Sequence, residues 1–268
     1  MENKKRLYWN SCSFLDNEGL VSEYSPLSQF FKGYGDTSGL QSYKASTGGS
    51  SNEAIFRRTL IDCSKNSFDF AIIAWSHPER YFIVDLTEEL NFDKLKKDSD
   101  LQYVSTEWNK KPYPYIHGIP HHITQSAELL KLEPKGTDDT IIYTISLHNF
   151  FKANNIPHLF LNMGKMDSKV LSARESWLVG IDPKNYLSLN DDDNILQKMQ
   201  FSFVEYFLNL ENNSLIKDKE IRKLESMNLL DITKDGKIYT SDDSGHLSNL
   251  GYNKLNQIIY NHIEKHLI

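Results

Sequence analysis

Short apolar runs alternate with helical patterns along much of the chain. The segments 6–9 and 41–46 predict two strands, the first ending near Cys12 at a polar loop. The continuous apolar run 68–75 predicts a strand covered on both faces, as in a parallel sheet, and 156–163 predicts another apolar strand. We expect the strand at 68–75 to be central.

Apolar residues also recur at the three- and four-residue steps of amphipathic helices. Ser50 or Ser51 is the expected N-cap of the first helix, and Ser248 of the last. A single long helix is predicted across 196–210. The apolar positions of the four helices are, in order, Ile55, Phe56, Leu60 and Cys63; Ile141, Ile142, Ile145 and Phe151; Leu196, Met199, Phe203, Phe207 and Leu210; and Leu255, Ile258, Ile259 and Ile263.

Strand alternating with helix indicates the α/β class with a mostly parallel sheet. The 268 residues fit one domain, 1–268. Residues 83–135 show no clear period and are rich in proline and tyrosine, so we interpret them as an insertion over the sheet.

Composition narrows the class of protein. Hydrophobic residues at 39% and aromatic residues at 12% are typical of a folded globular chain. The net charge of −6 argues against nucleic acid as a partner. No signal peptide and no apolar run of membrane-spanning length is evident, so we expect synthesis in the cytoplasm and no membrane partner. With Cys12 and Cys63 alone, a disulfide framework is not expected.

Candidate chemistry lies in the loops that follow strands, because the carboxyl ends of parallel strands face one crevice. Ser13 follows the first strand, while Asp243 and His246 lie three residues apart just before the last helix. A serine hydroxyl becomes a nucleophile when a histidine takes its proton and a carboxylate orients that histidine. These three residues match those roles.

Four blocks in this order resemble the SGNH/GDSL hydrolase superfamily, especially a variant frequent in phage-encoded proteins with a Gly-Cys-Ser-Phe start. The matching blocks are Cys-Ser-Phe at 12–14, Gly-Ser-Ser-Asn at 49–52, Trp-Ser at 75–76 with Arg80, and the Asp-x-x-His block with its glycine at 243–251. The resemblance covers about 6–82 and 156–266. It implies a three-layer α/β/α sandwich of the flavodoxin-like SGNH type.

The resemblance also implies roles for the triad. Ser13 would attack an ester, His246 would act as base and then acid, and Asp243 would orient His246. The backbone N–H groups of Ser13 and Gly49 would hold the oxyanion.

One oxyanion donor of the superfamily, an asparagine after the third strand, has no counterpart here. The equivalent positions carry Ser76 and His77, either of which could donate in its place. Asn52 and Arg80 complete the expected substrate-binding set. No metal or cofactor is implied.

The implied substrate is a small ester, with O-acetyl groups on carbohydrate as the natural candidate. The rival hypothesis is a non-catalytic SGNH-like binding protein, or a virion-associated structural protein, and the missing asparagine favours it. A viral or virion-associated location follows from the phage-type likeness. The oligomeric state stays open.

Three other features of the sequence bear on its chemistry. Cys12 could act as nucleophile with His246, but buried cysteines are commonly inert, which favours Ser13. The histidines at 117, 121 and 122 have metal-like spacing, yet Gly118 and Pro120 argue against a helix, and no carboxylate or cysteine lies nearby. The aromatic segment 108–118 is interpreted either as a surface whose aromatic rings stack on sugar rings or as a loop stiffened by its prolines.

Overall fold

The computed structural model describes nine parts of the chain: residues 5–12, 40–45, 50–78, 132–189, 194–213, 219, 222, 238–240 and 247–267. The strands are β1 (Lys5–Asn10), β2 (Leu40–Lys44), β3 (Phe70–Trp75) and β4 (His158–Asn162). The helices are α1 (Asn52–Lys65), α2 (Leu132–Ala153), α3 (Ser168–Ala173), α4 (Glu175–Leu178), α5 (Ile195–Gln200), α6 (Phe203–Asn212) and α7 (Asn249–His266), with a 3-10 turn at Pro183–Asn185.

The four strands form one parallel sheet in the order β2-β1-β3-β4. Leu7 pairs with Phe70 across β1 and β3, and Ala71 pairs with His158 across β3 and β4. All six residues of β3 are buried, as expected for a strand with neighbours on both sides. The predicted strands and the α/β class are therefore confirmed.

Alternate strand residues belong to two different apolar cores. Leu7, Trp9 and Ile72 pack with residues of α6 and α7. Tyr8 and Ile73 pack with residues of α1, α2 and α5. Because successive side chains of a strand point to opposite faces, helices cover the sheet on both sides.

Two predicted N-caps are confirmed. The hydroxyl of Ser51 accepts the backbone N–H of Ala54 at the start of α1, and that of Ser248 accepts the N–H of Gly251 at the start of α7. Each satisfies a donor that the first helical turn leaves without an intrahelical partner. Both helices thus begin at residues next to sequence-predicted site segments.

The prediction of a single helix across 196–210 is wrong. The chain is extended at Phe201 and Ser202, which separate α5 from α6. Leu196 and Met199 pack in the core of α1 and α2, whereas Phe203 and Phe207 pack in the core of α7. The apolar spacing continues across the break because α5 and α6 each direct apolar side chains into a core. The two cores lie on opposite faces of the sheet.

Helix α2 begins at Leu132, so the last four residues of the predicted insertion 83–135 are helical. The helix buries Ile141, Leu147 and Phe151, whereas Ile142 is 43% exposed and Ile145 is partly buried, so two of the four predicted apolar positions are fully buried. Residues 79–131, which make up most of that insertion, lie outside the described residues. Among the described helices, none is long and apolar enough to span a membrane.

Candidate active site

The carboxyl ends of β1, β3 and β4 adjoin one another at one edge of the sheet. They lead into Ser11, Ser76 and Met163 respectively, and the N–H of Met163 donates to the carbonyl of Trp75 at 2.8 Å. Of the predicted site residues, the structure describes three: Asn52, Ser76 and His77. Ser13, Gly49, Arg80, Asp243 and His246 lie outside the described residues.

Asn52 and Ser76 are brought together across 24 positions of sequence. The Asn52 carboxamide accepts the backbone N–H of Ser76 at 2.7 Å and donates to the Ser76 carbonyl at 3.3 Å. It also donates to the hydroxyl of Thr140 on α2 at 2.9 Å. Asn52 is buried, so these bonds tie the first turn of α1, the end of β3 and α2 into one unit.

His77 lies against the backbone that follows β4. A Cβ placed on Gly164 would be 2.6 Å from the Cα of His77 and 2.8 Å from its ring Nδ1. A glycine at 164 is therefore what lets the half-buried His77 approach β4.

A buried polar network supports the end of β1. The side-chain amide of Asn10 donates to the carbonyl of Ile55 and to the hydroxyl of Thr59, both at 2.9 Å on α1. The adjacent Tyr8 hydroxyl donates to Asp62, and burial, together with that carboxylate, raises the pKa of Tyr8 well above its ordinary value. These contacts fix the residue three positions before Ser13 relative to α1.

The segment that precedes 241–246 is held by Glu211 of α6. Its buried carboxylate accepts the backbone N–H groups of Ile238 and Tyr239 at 2.9 Å, and that of Thr240 at 3.4 Å. A carboxylate is the acceptor best suited to several N–H groups at once. Glu211 thus fixes the chain immediately before the segment that carries Asp243 and His246.

The residues that flank 241–246 are joined to each other. Thr240 and Leu247 form an antiparallel bridge, and the N–H of Ser248 donates to the carbonyl of Tyr239 at 3.0 Å. A Cβ placed on Gly251 would lie 2.1 Å from that same carbonyl oxygen. The first turn of α7 therefore packs directly on the backbone at 239.

The later part of helix α7 is linked to the start of β4. The ring Nε2 of His262 lies 2.7 Å from the carbonyl of Lys184, and neighbouring Asn185 donates to the carbonyl of His158, the first residue of β4. From His262 back to Ser248 is about 21 Å of helix, whereas β4 is about 16 Å long.

Several buried polar groups have no hydrogen-bond partner within the described structure. They include the hydroxyls of Ser11 and Ser76, the first residues after β1 and β3, and that of Thr240. A buried hydroxyl without a partner costs free energy, so each needs an explanation. All three lie next to segments that carry sequence-predicted site residues.

Of the other candidates raised by the sequence, the structure describes Cys12 but not the histidine cluster or the aromatic segment. Cys12 is free and fully buried in the core that includes Trp9 and Met163, and its burial was predicted from the sequence. Cys63 is also free, and burial raises its pKa to about 12. The histidines at 117, 121 and 122 and the aromatic segment 108–118 lie outside the described residues. Among the residues that are described, no group of three potential metal ligands occurs.

Sequence reasoning missed Asn10 and Glu211. Nothing in a sequence distinguishes an asparagine in a strand or a glutamate on a helix that is buried from one that is solvated. Their partners lie 45 and 28 positions away, and only the fold joins them.

No protein-family model matches the chain, and no curated protein matches it.

Proposed function

We propose that this chain is a serine esterase with the three-layer α/β/α sandwich of the SGNH type. The observation that supports the proposal is that β1, β3 and β4 are parallel neighbours, so their carboxyl ends, followed by Ser11, Ser76 and Met163, lie at one edge of the sheet. Asp243 and His246 lie in the sequence between the bridged residues Thr240 and Leu247, and Ser13 follows Ser11 of that edge by two positions. A parallel α/β sheet binds its ligands there.

In the proposed mechanism, His246 takes the proton of the Ser13 hydroxyl while Ser13 Oγ bonds to the acyl carbon of the ester. The tetrahedral intermediate collapses as His246 passes the proton to the leaving alcohol, which leaves an acyl-serine. Water, activated by His246, then releases the acid. Asp243 orients His246, and the N–H groups of Ser13 and Gly49 stabilise the oxyanion.

The proposed substrate is a small ester, such as an O-acetyl group on carbohydrate. This choice rests on the family likeness, since a fold alone does not fix a substrate. Arg80 would bind the alcohol portion.

The test is hydrolysis of p-nitrophenyl acetate by wild type, Ser13→Ala and the matched control Cys12→Ala. We expect wild type and C12A to turn over the ester and S13A to lose activity. Labelling by a fluorophosphonate probe, mapped by mass spectrometry, should modify the peptide at Ser13. Equal activity in wild type and S13A, or no activity in any variant across short acyl chains, overturns the proposal and favours a non-catalytic binding role.

A further inference from the structure

We infer that residues 181–187, which we call the edge segment, form an acid-sensitive strap along the sheet that opens locally when the buried histidines beside it take up protons. These histidines are His148 of α2, His158 of β4 and His262 of α7. None of the three belongs to the proposed esterase site, so the behaviour of the edge segment does not depend on that proposal.

The edge segment runs beside β4, the last described strand of the sheet. Tyr186 forms a parallel bridge with Phe160, and the N–H of Leu187 donates to the Phe160 carbonyl at 2.8 Å. The Tyr186 hydroxyl also donates to the side-chain carbonyl of Asn162. Opening of the segment would free these groups of β4, and the free groups of an edge strand can pair with another chain.

Two helices hold the middle of the edge segment by its carbonyl groups. Lys198 of α5 donates through Nζ to the carbonyl of Pro183 at 3.0 Å. The ring Nε2 of His262 lies 2.7 Å from the next carbonyl, that of Lys184, so this nitrogen carries the hydrogen. Both side chains are buried, and both bonds therefore depend on the segment staying closed.

His148 and His158 share one hydrogen bond at the start of β4. The Nδ1 of His158 lies 3.0 Å from the Ile156 carbonyl, and its Nε2 lies 2.9 Å from the Nδ1 of His148. His158 thus donates through Nδ1 and accepts from His148 at Nε2. A proton added to that Nε2 would place two N–H groups face to face and break the bond. Asn185 of the edge segment donates to the backbone carbonyl of His158 at 2.7 Å.

The charges around these histidines oppose their protonation. The described charged or titratable groups that act on them, apart from one another, are Lys152, Asp182, Lys198, Lys265 and His266. Asp182, an exposed residue of the edge segment, is the one anion of this set. A positive charge on His158 or His262 is therefore opposed both by burial and by neighbouring cations while the segment is closed.

The direction of the pH effect follows from this difference. Burial lowers the pKa of His158 and of His262 to about 4, and it also lowers the pKa of His148. In the open form each imidazole regains water and titrates near about 6.5, so the open form binds protons first as the pH falls. For each histidine with a closed-form pKa of about 4, the opening equilibrium should rise by about 20-fold between pH 7 and pH 5.

Hydrogen exchange of the full chain, followed by mass spectrometry at pH 7 and pH 5, tests the inference. After correction for the intrinsic effect of pH on exchange, the peptide that contains Leu187 should be less protected than the peptide of β3 at both pH values. Its protection should also fall by about 20-fold between pH 7 and pH 5 for each histidine that opening exposes.

Two variants separate titration from simple loosening of the segment. His262→Gln keeps a donor for the Lys184 carbonyl and removes one titrating group, so the fall in protection should be about 20-fold smaller than in wild type. Asn185→Ala removes the bond to the His158 carbonyl but no titrating group. N185A should therefore lower the protection of the segment by the same factor at both pH values.

Three results would overturn the inference. Protection of the edge segment equal to that of β3 at both pH values would mean that it opens only with the whole protein. Lower protection that does not change with pH would mean that opening leaves the histidines buried. A fall in H262Q as large as that in wild type would show that His262 does not control the opening.

Discussion

The carboxylate of Glu211 accepts the backbone N–H of Tyr239 at 2.9 Å and, through the neighbouring N–H groups, restrains the chain just before 241–246. Because the carboxylate is buried, water cannot replace it as acceptor. The Glu211 side chain therefore fixes the position of the backbone from which the segment with Asp243 and His246 begins.

Glu211→Ala should destabilise the fold by about 1–3 kcal/mol, because it leaves buried N–H groups without an acceptor. Chemical denaturation with urea measures this loss. Glu264→Gln, at an exposed glutamate that accepts from the Tyr260 hydroxyl, is the matched control and should change stability little. Equal stability of E211A and wild type would contradict the anchoring role. If the esterase proposal holds, E211A should also lose activity at temperatures where it remains folded.

Gly251→Ala should destabilise the protein, although alanine normally stabilises a helix over glycine by about 0.5–1 kcal/mol. The added methyl would lie 2.1 Å from the carbonyl oxygen of Tyr239, and relieving that overlap should cost about 1–3 kcal/mol. Gly180→Ala is the control, since nothing lies within 4 Å of a Cβ there. A higher melting temperature in G251A than in wild type would show that the close approach is not maintained.

Ser202→Ala should cost about 1–2 kcal/mol through loss of the N-cap of α6. The Ser202 hydroxyl accepts the N–H of Glu205 at 3.2 Å and donates to the carbonyl of Met163 at 2.7 Å. Ser64→Ala, whose exposed hydroxyl donates within α1, is the comparison and should be nearly neutral. Urea midpoints for the two variants test this, and the prediction fails if they coincide.

Stability should fall as the pH drops from about 6.5 toward 4. Burial lowers the pKa of His262 to about 4, outweighing the bond between its ring and the Lys184 carbonyl, which favours the charged form. In the unfolded chain a histidine titrates near its ordinary value of about 6.5, so the unfolded state binds the proton first as the pH falls. The stabilisation is thus complete above that value and is lost on acidification.

The loss should be on the order of 3 kcal/mol for each imidazole so shifted. His158, also lowered to about 4 chiefly by burial, contributes in the same sense. His262→Gln keeps a hydrogen-bond donor but removes the titration. Urea unfolding between pH 4 and pH 7 should therefore show a shallower dependence in H262Q than in wild type, and parallel curves would exclude His262 as a source.

The four described strands and the helices at both ends were predictable from apolar pattern and capping chemistry. Ser51 and Ser248 each precede an apolar helical pattern, and each caps the helix that follows. These features are local, so a sequence displays them directly.

The sequence also carries a local signal for the break at Ser202, but the regular spacing of apolar residues across that position obscures it. Ser202 stands three residues before Glu205, the spacing of a helix start, yet the apolar stripe runs through both positions. The residues of that stripe pack in two cores on opposite faces of the sheet. The spacing of apolar residues alone does not distinguish two such helix faces from one.

The candidate site was predictable only as a set of loops. The pairing of Asn52 with Ser76 depends on the side-by-side placement of α1 and β3, so a carboxamide expected to bind substrate is instead bonded to the backbone. The burial of Glu211 depends in the same way on tertiary contacts.

The division of the sheet between two cores has a consequence for how the chain folds during synthesis. All four described strands are complete once residue 162 has been made, but the helices that cover one face, α6 and α7, come after it. Until α7 leaves the ribosome, Leu7, Trp9 and Ile72 lack much of their apolar cover. The described residues that cover this side of the sheet are thus made last, and the apolar side chains they later cover can meanwhile aggregate or bind chaperones.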